Sequence, residues 1–413
     1  MGQSGGMKRF ERLMQQAVTA ILFTWIALRV GQVFVGMMSE NFQAPARLVH
    51  MTVDGANYSA VGRRLAMSSE PLMAESIHYS VGMQVYVAAV MRFLQSDQVG
   101  PLKLLNFAFF GGILLILYQM GLKATRSRLW ALFGVFLAAS SELLVAYIPV
   151  IQYEVLIAFL FLLSAAGLVL RPDPRRCLGA GVIVAVCAIF RAHFVLVLPG
   201  YALGLWLLEP TRAGLRGRVV PLLVGFMLLA LPWNSYYSIR QKQIFFFQEI
   251  FTFRLSLHPD STGKNFPKPT VEQIREPSGF AFIVQEPKSY GRLLVERSQY
   301  FLGLAPDIWM VESLWSRLLT GVVGGSIELA RKLLVSLSLV LLGLGAWAAV
   351  KERQGWALLL LSMLVAVAVP QLLINSTTRF LVPALPVWLF FDMLGIREVF
   401  RLTRRMVTYR SRA

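Results

Sequence analysis

Apolar stretches long enough to cross a bilayer recur along the whole chain and alternate with short polar connections. One longer apolar stretch, 177–208, is interrupted by Arg191 and His193, and this predicts two short helices rather than one span. Because a spanning helix needs roughly 20 apolar residues, the pattern predicts an all-α integral membrane protein with about ten transmembrane helices. The remaining predicted spans lie near 17–38, 101–121, 129–147, 151–170, 219–236, 327–350, 356–374 and 381–396.

Composition supports a single polytopic membrane domain covering 1–413, without a separate large soluble domain. The 413 residues are 56% hydrophobic and only 15% charged, whereas soluble domains carry about 25% charged residues. The net charge of +18 does not indicate nucleic-acid binding, because the basic residues occupy short connections between apolar stretches. Cys177 and Cys187 lie in one apolar segment and predict neither a disulfide framework nor a metal site.

The distribution of arginine and lysine predicts which side of the membrane each connection faces. Lys8, Arg9 and Arg12 precede the first span, and every second short connection after it is basic. Both termini, including a basic tail at 397–413, are therefore expected in the cytoplasm, and the long segments 39–100 and 237–326 on the outer side. The apolar stretch 79–94 is short for a span and predicts a helix in the outer interface.

Asp54 is the most informative polar residue, because it lies in a polar, potentially helical block just after the first apolar span. One interpretation is a helix N-cap, in which the carboxylate accepts hydrogen bonds from backbone amides. The other is a general base or electrostatic anchor in an outward-facing site. Tyr58 follows one helical turn later and would share its face.

Three arginines from distant segments are predicted at the same outer membrane face. Arg191 interrupts an apolar stretch, Arg240 follows an outward span, and Arg379 precedes the last span. Each alone is explained by interfacial anchoring, but together they suit a phosphate or pyrophosphate ligand. His193 shares the first interruption, and Glu154 begins a span where the helix dipole favours an acid.

Taken in order, short motifs along nearly the whole chain resemble the membrane-embedded glycosyltransferases of the GT-C type. The closest likeness is to the bacterial branch similar to protein O-mannosyltransferase and the lipid A aminoarabinose transferase. The motifs that carry the resemblance are Asp54 with Tyr58 and Gly62-Arg63-Arg64-Leu65, His78-Tyr-Ser-Val-Gly, Leu104-Leu-Asn106, Glu154, Arg191-Ala192, Pro232-Trp233 with Arg240, and Arg379-Phe-Leu-Val-Pro383-Ala-Leu-Pro386.

The resemblance implies a GT-C-like fold and inverting transfer of a sugar from a polyprenyl-phosphate-linked donor to an acceptor hydroxyl. Asp54 would act as base, and the donor phosphate would be bound by the three arginines with His78 and Tyr58. Glu154, His193 and Arg63 would support the site. The implied location is a bacterial inner membrane with the site facing the periplasm, and the acceptor is a lipid, a glycan or a protein.

No cofactor is implied by the sequence. Some relatives carry a second acid after the aspartate, but this chain has Gly55 there, which favours a lone carboxylate over a paired metal site; a divalent metal stays open. Two other functions also stay open. A flippase or transporter of lipid-linked glycans would use charged residues in a bundle cavity, although the chain shows no internal repeat. A surface-polysaccharide polymerase or ligase would use a large late outer loop, as 237–326 provides.

Overall fold

The computed structural model describes residues 3–38, 53–68, 81–95, 100–209, 211–241, 284, 286–302, 304, 320–321, 326–352, 355–374 and 381–410. Only the backbone is described for 3–12, 53–57, 240–241, 370–374 and 408–410. Within these ranges the protein is built of helices, and they contain no β-strand. This confirms the all-α prediction.

The helices follow one another along the chain with short connections through the central part of the molecule. In chain order they are α1 Gln3–Met38, α2 Val53–Met67, α3 Val81–Leu94, α4 Gly100–Thr125, α5 Arg128–Ala139, α6 Glu142–Ala146, α7 Glu154–Leu170, α8 Pro174–Phe190, α9 Val197–Leu208, α10 Val220–Gln241, α11 Pro287–Phe301, α12 Ile327–Lys351, α13 Trp356–Ile374 and α14 Leu385–Arg410. A 3-10 turn, Ala192–Leu196, links α8 to α9. One helical turn, Arg212–Gly214, and a π-helical turn, Leu215–Val219, lead directly into α10.

Four helices of the described part are long and apolar enough to cross a bilayer by length and composition. They are Leu13–Met38, Gly100–Thr125, Arg212–Ile239 and Ile327–Lys351. Five further apolar helices are 10–17 residues long, shorter than the roughly 20 residues that span a hydrocarbon core. The chain is thus a multi-pass membrane protein by its apolar helices, but the predicted count of about ten spans is not confirmed.

The predicted span 129–147 is two helices rather than one. α5 ends at Ala139, and α6 begins at Glu142 with Ser141 as its N-cap, where the Ser141 hydroxyl accepts from the Leu144 amide at 3.4 Å. A serine followed by an acidic first residue is a helix-start signal. The Ser141 hydroxyl accepts a hydrogen bond that a backbone carbonyl of the preceding turn would accept in a continuous helix, so a new helix begins here.

The predicted interruption of 177–208 is confirmed. α8 ends at Phe190, Arg191 adopts an extended backbone with φ −149° and ψ 113°, and the 3-10 turn then leads into α9. The last helix differs from its predicted limits, because α14 continues without a break from Leu385 to Arg410. The first part of the basic tail is therefore an extension of this helix.

Glycines allow two helix pairs to approach closely. A Cβ atom on Gly181 of α8 would lie 2.0 Å from the Leu222 carbonyl oxygen of α10. A Cβ on Gly395 of α14 would lie 2.1 Å from the Leu341 carbonyl oxygen of α12. Helices in a lipid environment associate through such close van der Waals packing, because lipid tails are as apolar as the helix surfaces.

The helix directions define two ends of the bundle. The basic end carries the turn from Arg171 to Arg176, between α7 and α8. α7 has 17 residues, so its first residue, Glu154, lies about 25 Å from this turn. α8 also has 17 residues, so Arg191, directly after its last residue, lies at the same distance from the turn. Glu154 and Arg191 are therefore both at the end of the bundle opposite the basic turn.

Candidate active site

Tyr153 is the centre of an aromatic and cationic cluster at the end of the bundle opposite the basic turn. The Arg191 Nε atom donates a hydrogen bond to the Tyr153 phenol oxygen, and the Arg191 guanidinium carbon lies 5.0 Å from the centroid of the Tyr153 ring. The Tyr58 ring lies 6.4 Å from the Tyr153 ring, and the Phe190 ring lies 6.5 Å from it. We call Tyr58, Tyr153, Phe190 and Arg191 the Tyr153 cluster.

The cluster joins three separate parts of the chain. Tyr58 belongs to α2, Tyr153 immediately precedes α7, and Arg191 follows the last residue of α8. Tyr58 and Tyr153 are each 3% exposed, while Arg191 is half-buried. The phenol oxygen and the ring of Tyr153 both contact the Arg191 guanidinium and fix its orientation. Such an arginine suits recognition of a phosphate group, as the sequence predicts.

Two glycines set the approach of α2 and α3 to the cluster. A Cβ on Gly62 of α2 would lie 2.4 Å from the Val87 Cγ1 atom of α3. A Cβ on Gly82 of α3 would lie 2.8 Å from the Ile189 carbonyl oxygen, one residue before Phe190. α2 therefore packs on α3, and α3 on the last turn of α8. This chain of close contacts brings Tyr58 towards Tyr153.

The segment 147–153 forms an irregular wall of the site, and all seven of its residues are buried. Asn106 of α4, itself 4% exposed, donates from Nδ2 to the Ile148 carbonyl at 3.2 Å and to the Val150 carbonyl at 2.9 Å. Non-helical backbone at membrane depth needs such partners inside the protein. Asn106 thus fixes the segment that ends at Tyr153.

A part-buried ion pair fixes the other end of this wall. Arg29 of α1 donates from Nη2 to Glu142 Oε1 of α6 at 2.7 Å, and the two side chains are 11% and 18% exposed. Nearby, the Trp25 indole Nε1 donates to the Ser140 hydroxyl at 2.9 Å. α1 is therefore joined by polar contacts to the break between α5 and α6.

Among the supporting residues predicted from sequence, Glu154 and His193 lie beside the cluster in the chain. Glu154 is the first residue of α7, directly after Tyr153, and is 1% exposed. His193 lies in the turn after Arg191, is 9% exposed, and packs on Phe194 with 4.6 Å between ring centroids. Arg63 differs from both. It is exposed on α2, five residues after Tyr58 and about 140° around the helix.

The proposed base lies on the same helix as Tyr58. The backbone places Asp54 within α2, one turn before Tyr58, and its side chain lies outside the described part of the structure. The same holds for Arg240, whose backbone is close to the end of α10. His78 and Arg379 lie outside the described residues entirely. Convergence of the three arginines therefore stays a prediction.

Sequence reasoning did not assign Tyr153 or Asn106 to the site, although Asn106 lies in one of the motifs that carry the resemblance. Apart from the site, sequence reasoning gave no role to Arg297, a buried arginine of α11 that is 1% exposed. Removal from water lowers the pKa of the Arg297 guanidinium to about 10 and raises the pKa of Tyr290 on the same helix. In the sequence, the burial of Arg297 is indicated by its position on the apolar face of α11, four residues after Leu293 and four before Phe301.

The described residues contain no group of three or more histidine, cysteine, aspartate or glutamate side chains able to hold a metal ion. Both cysteines are free and buried. The described part of the site therefore offers a cation, phenol groups and a buried acid as its chemical groups.

No protein-family model matches the chain, and no curated protein is similar to it in sequence. Solved structures of the archaeal oligosaccharyltransferase from Archaeoglobus fulgidus are similar in fold. One, AglB in complex with an inhibitory peptide and a dolichol-phosphate, has a TM-score of 0.50 and 12% identity, covering 98% of this chain and 52% of that chain. The apo form has a TM-score of 0.51 and 11% identity, covering 97% of this chain and 52% of that chain.

The chain thus spans about half the length of the structures that it matches. At this identity the likeness concerns the fold alone. It confirms the coarser expectation, a helical arrangement similar to that of a GT-C type glycosyltransferase. The bacterial branch named from the sequence motifs is not confirmed. In fold, this chain is similar to an archaeal oligosaccharyltransferase of the GT-C type.

Proposed function

We propose that this protein is a membrane glycosyltransferase that transfers a sugar from a polyprenyl-phosphate-linked donor to an acceptor hydroxyl. The observation that carries the proposal is the Tyr153 cluster, in which Arg191 is held by a phenol oxygen and an aromatic face. Its occurrence in a GT-C-like fold adds support. One similar structure contains dolichol-phosphate, a lipid phosphate of the chemical class that the proposed donor would release.

The site is proposed to face the outer side of the membrane. The Tyr153 cluster lies at the end of α7 and α8 away from the turn that carries Arg171, Arg175 and Arg176. Connections rich in arginine and lysine stay on the cytoplasmic side. A cluster at the opposite end of the same helices therefore faces the periplasm or exterior in the proposed topology.

The proposed reaction balances as an inverting displacement at the anomeric carbon. The acceptor oxygen forms the new bond to this carbon, and the bond between the carbon and the phosphate oxygen breaks. The electron pair of the broken bond leaves with the lipid phosphate, which gains one negative charge. Asp54 takes the proton of the acceptor hydroxyl. Its position one turn before Tyr58 would put the base on the helix that contributes to the Tyr153 cluster.

Arg191 is proposed to stabilise the charge that develops on the departing phosphate. A positioned cation in a site with little water lowers the energy of such a transition state more than it lowers the energy of the ground state, in which the phosphodiester carries one negative charge less than the departing lipid phosphate. Arg240, Arg379 and His78 are proposed to bind the same phosphate, and Tyr58 to line the site. Glu154 and His193 are proposed to support it from α7 and from the turn before α9.

The experiment that tests the proposal measures sugar transfer by the purified protein in nanodiscs. The probes are polyprenyl-phosphate sugars radiolabelled in the sugar, with a membrane extract of the source cells as acceptor. Asp54→Asn is expected to reduce transfer by about 10²- to 10⁴-fold, the usual contribution of a general base. Asp173→Asn is the matched control, because Asp173 caps α8 at the basic end and asparagine caps equally well.

Wild-type transfer that persists in Asp54→Asn would remove this residue as base. Absence of transfer from every lipid-phosphate sugar, in wild-type protein that unfolds cooperatively, would overturn the glycosyltransferase proposal. Mass spectrometry of cell-surface glycans and glycoproteins from a deletion strain provides a second measurement. The sugar missing from that strain would identify both the donor and the acceptor.

A further inference from the structure

A cleft between α1 and α5 lies at the basic end of the bundle, away from the Tyr153 cluster. It is an open groove of about 480 Å³, lined by one face of α1 and the first turns of α5. At its inner end the helices meet, because the Trp25 and Phe136 rings lie 6.2 Å apart. The lining residues are Gln15, Gln16, Thr19, Ala20, Phe23, Arg128, Leu129 and Leu132.

The cleft is divided into a polar mouth and an apolar interior. Gln15, Gln16 and Arg128 lie at the mouth, and within the described residues their side chains make no hydrogen bond or ion pair. Phe23, Leu129 and the other apolar residues line the rest of the groove, where Phe23 is 64% exposed. The volume is within the range of about 300–1,000 Å³ that ligand pockets occupy. A ligand that fits this division has a polar head and a hydrocarbon tail.

The charge at the mouth selects an anionic head. Arg128 is exposed and is the first residue of α5, where the helix dipole places partial positive charge. The N-cap residue, Ser127, makes no side-chain hydrogen bond to the first turn of this 12-residue helix. The backbone amide groups of that turn can therefore donate to a bound anion. Arg126 is exposed two residues earlier, and Arg12 precedes Gln16 by one turn of α1.

We propose that this cleft binds one anionic phospholipid, with its phosphate at Arg128 and the α5 amides and one acyl chain against Phe23, Ala20 and Leu132. The arginine distribution predicts that the lipid comes from the cytoplasmic leaflet. The site is separate from the proposed donor site, because the Tyr153 cluster lies at the other end of the bundle. A single lipid here would fill the space that opens between α1 and α5 beyond Trp25.

Native mass spectrometry of the detergent-solubilised full chain tests the proposal. The protein is titrated with phosphatidylglycerol and, separately, with phosphatidylcholine of the same acyl chains, and retained lipid is counted. One phosphatidylglycerol is expected to bind at least about fivefold more tightly than phosphatidylcholine, and Arg128→Gln is expected to remove this preference. Arg175→Gln, on the exposed start of α8 at the same end, is the charge-matched control and should keep it.

A second pair of variants tests the location without changing charge. Ala20→Trp fills the interior of the cleft and should abolish retention of the tightly bound lipid. Ala17→Trp adds the same ring on α1 at an exposed position that does not line the cleft, and should leave retention unchanged. Equal binding of both lipids, equal losses in Arg128→Gln and Arg175→Gln, or full retention in Ala20→Trp would each overturn the proposal.

Discussion

Tyr153→Phe should weaken binding of a lipid phosphate without disturbing the packing of the site. The substitution removes only the phenol oxygen that accepts from Arg191 Nε. The ring keeps its contacts with Tyr58 and Phe190 and its position 5.0 Å from the guanidinium carbon. What is lost is therefore one hydrogen bond to a charged group and the fixed orientation that it gives to Arg191.

The expected size follows from that single bond. Hydrogen bonds to charged groups contribute about 1.5–3 kcal/mol. Because this bond lies within the protein and affects binding only through the orientation of Arg191, that energy sets an upper limit of roughly 10- to 150-fold on the change in affinity. The aromatic face still attracts the guanidinium by about 0.5–2 kcal/mol, so we expect the lower end, about tenfold. The assay is equilibrium binding of polyprenyl phosphate to the protein in nanodiscs, with competition by the same lipid alcohol that lacks the phosphate.

Tyr201→Phe is the matched control for this prediction. Its phenol oxygen also lies in a buried hydrogen bond, 2.9 Å from the Ser164 hydroxyl. Ser164 is ten residues after Glu154 on α7, about 15 Å from the site along the helix. Both variants lose one buried hydrogen bond, but only Tyr153→Phe should lose lipid-phosphate affinity. Equal affinity in the two variants would refute a role for Tyr153 in orienting Arg191.

Three further predictions concern the contacts that hold the site and the bundle. Asn106→Leu removes the donor to the buried Ile148 carbonyl, at about 1–3 kcal/mol, while the Val150 carbonyl keeps the Gln152 amide, so the thermal unfolding midpoint should fall; an unchanged midpoint would contradict this. Arg29→Glu and Glu142→Arg should each destabilise by about 1.5–3 kcal/mol, the contribution of a hydrogen bond between charged groups, and the double variant should recover most of the loss in a double-mutant cycle. Gly395→Ala should cost about 1–3 kcal/mol by overpacking, whereas Gly343→Ala, which meets no atom within 4 Å, should be neutral or stabilising in the same unfolding assay.

The hydropathy pattern predicts most of the helices, but it does not detect a break between two helices where the polar stretch is only a few residues long. The interruption at Arg191 was predictable, because a charged residue lies within an apolar stretch too long for one span. The break after Ala139 was not, since Ser140, Ser141 and Glu142 lie between two strongly apolar runs. Three polar residues change the mean hydropathy of a span-length window very little, so this mean does not detect the cap that ends α5.

The members of the site were only partly predictable, for a different reason. Arg191 and Tyr58 were identified because their residue types are unusual beside apolar spans or match a motif. Tyr153 has neither signal, since a tyrosine next to a span is ordinary at a membrane interface. Its importance depends on the approach of α2 and α8 in three dimensions. Asn106 likewise acts on a loop more than 40 residues away, at Ile148 and Val150.

The arrangement of the site explains why its wall is irregular backbone and its supports are helices. Backbone in the segment 147–153 brings Tyr153 to Arg191, and Asn106 donates to two of the carbonyl groups that a helix would have paired. In lipid, hydrophobic burial does not hold helices together, so α2, α3 and α8 need close van der Waals packing. Gly62 and Gly82 allow this close contact. A larger residue at either glycine would move α2 away from α8. In the proposed mechanism, this would separate the base on α2 from the arginine that receives the phosphate, and transfer would fall while each helix remained folded.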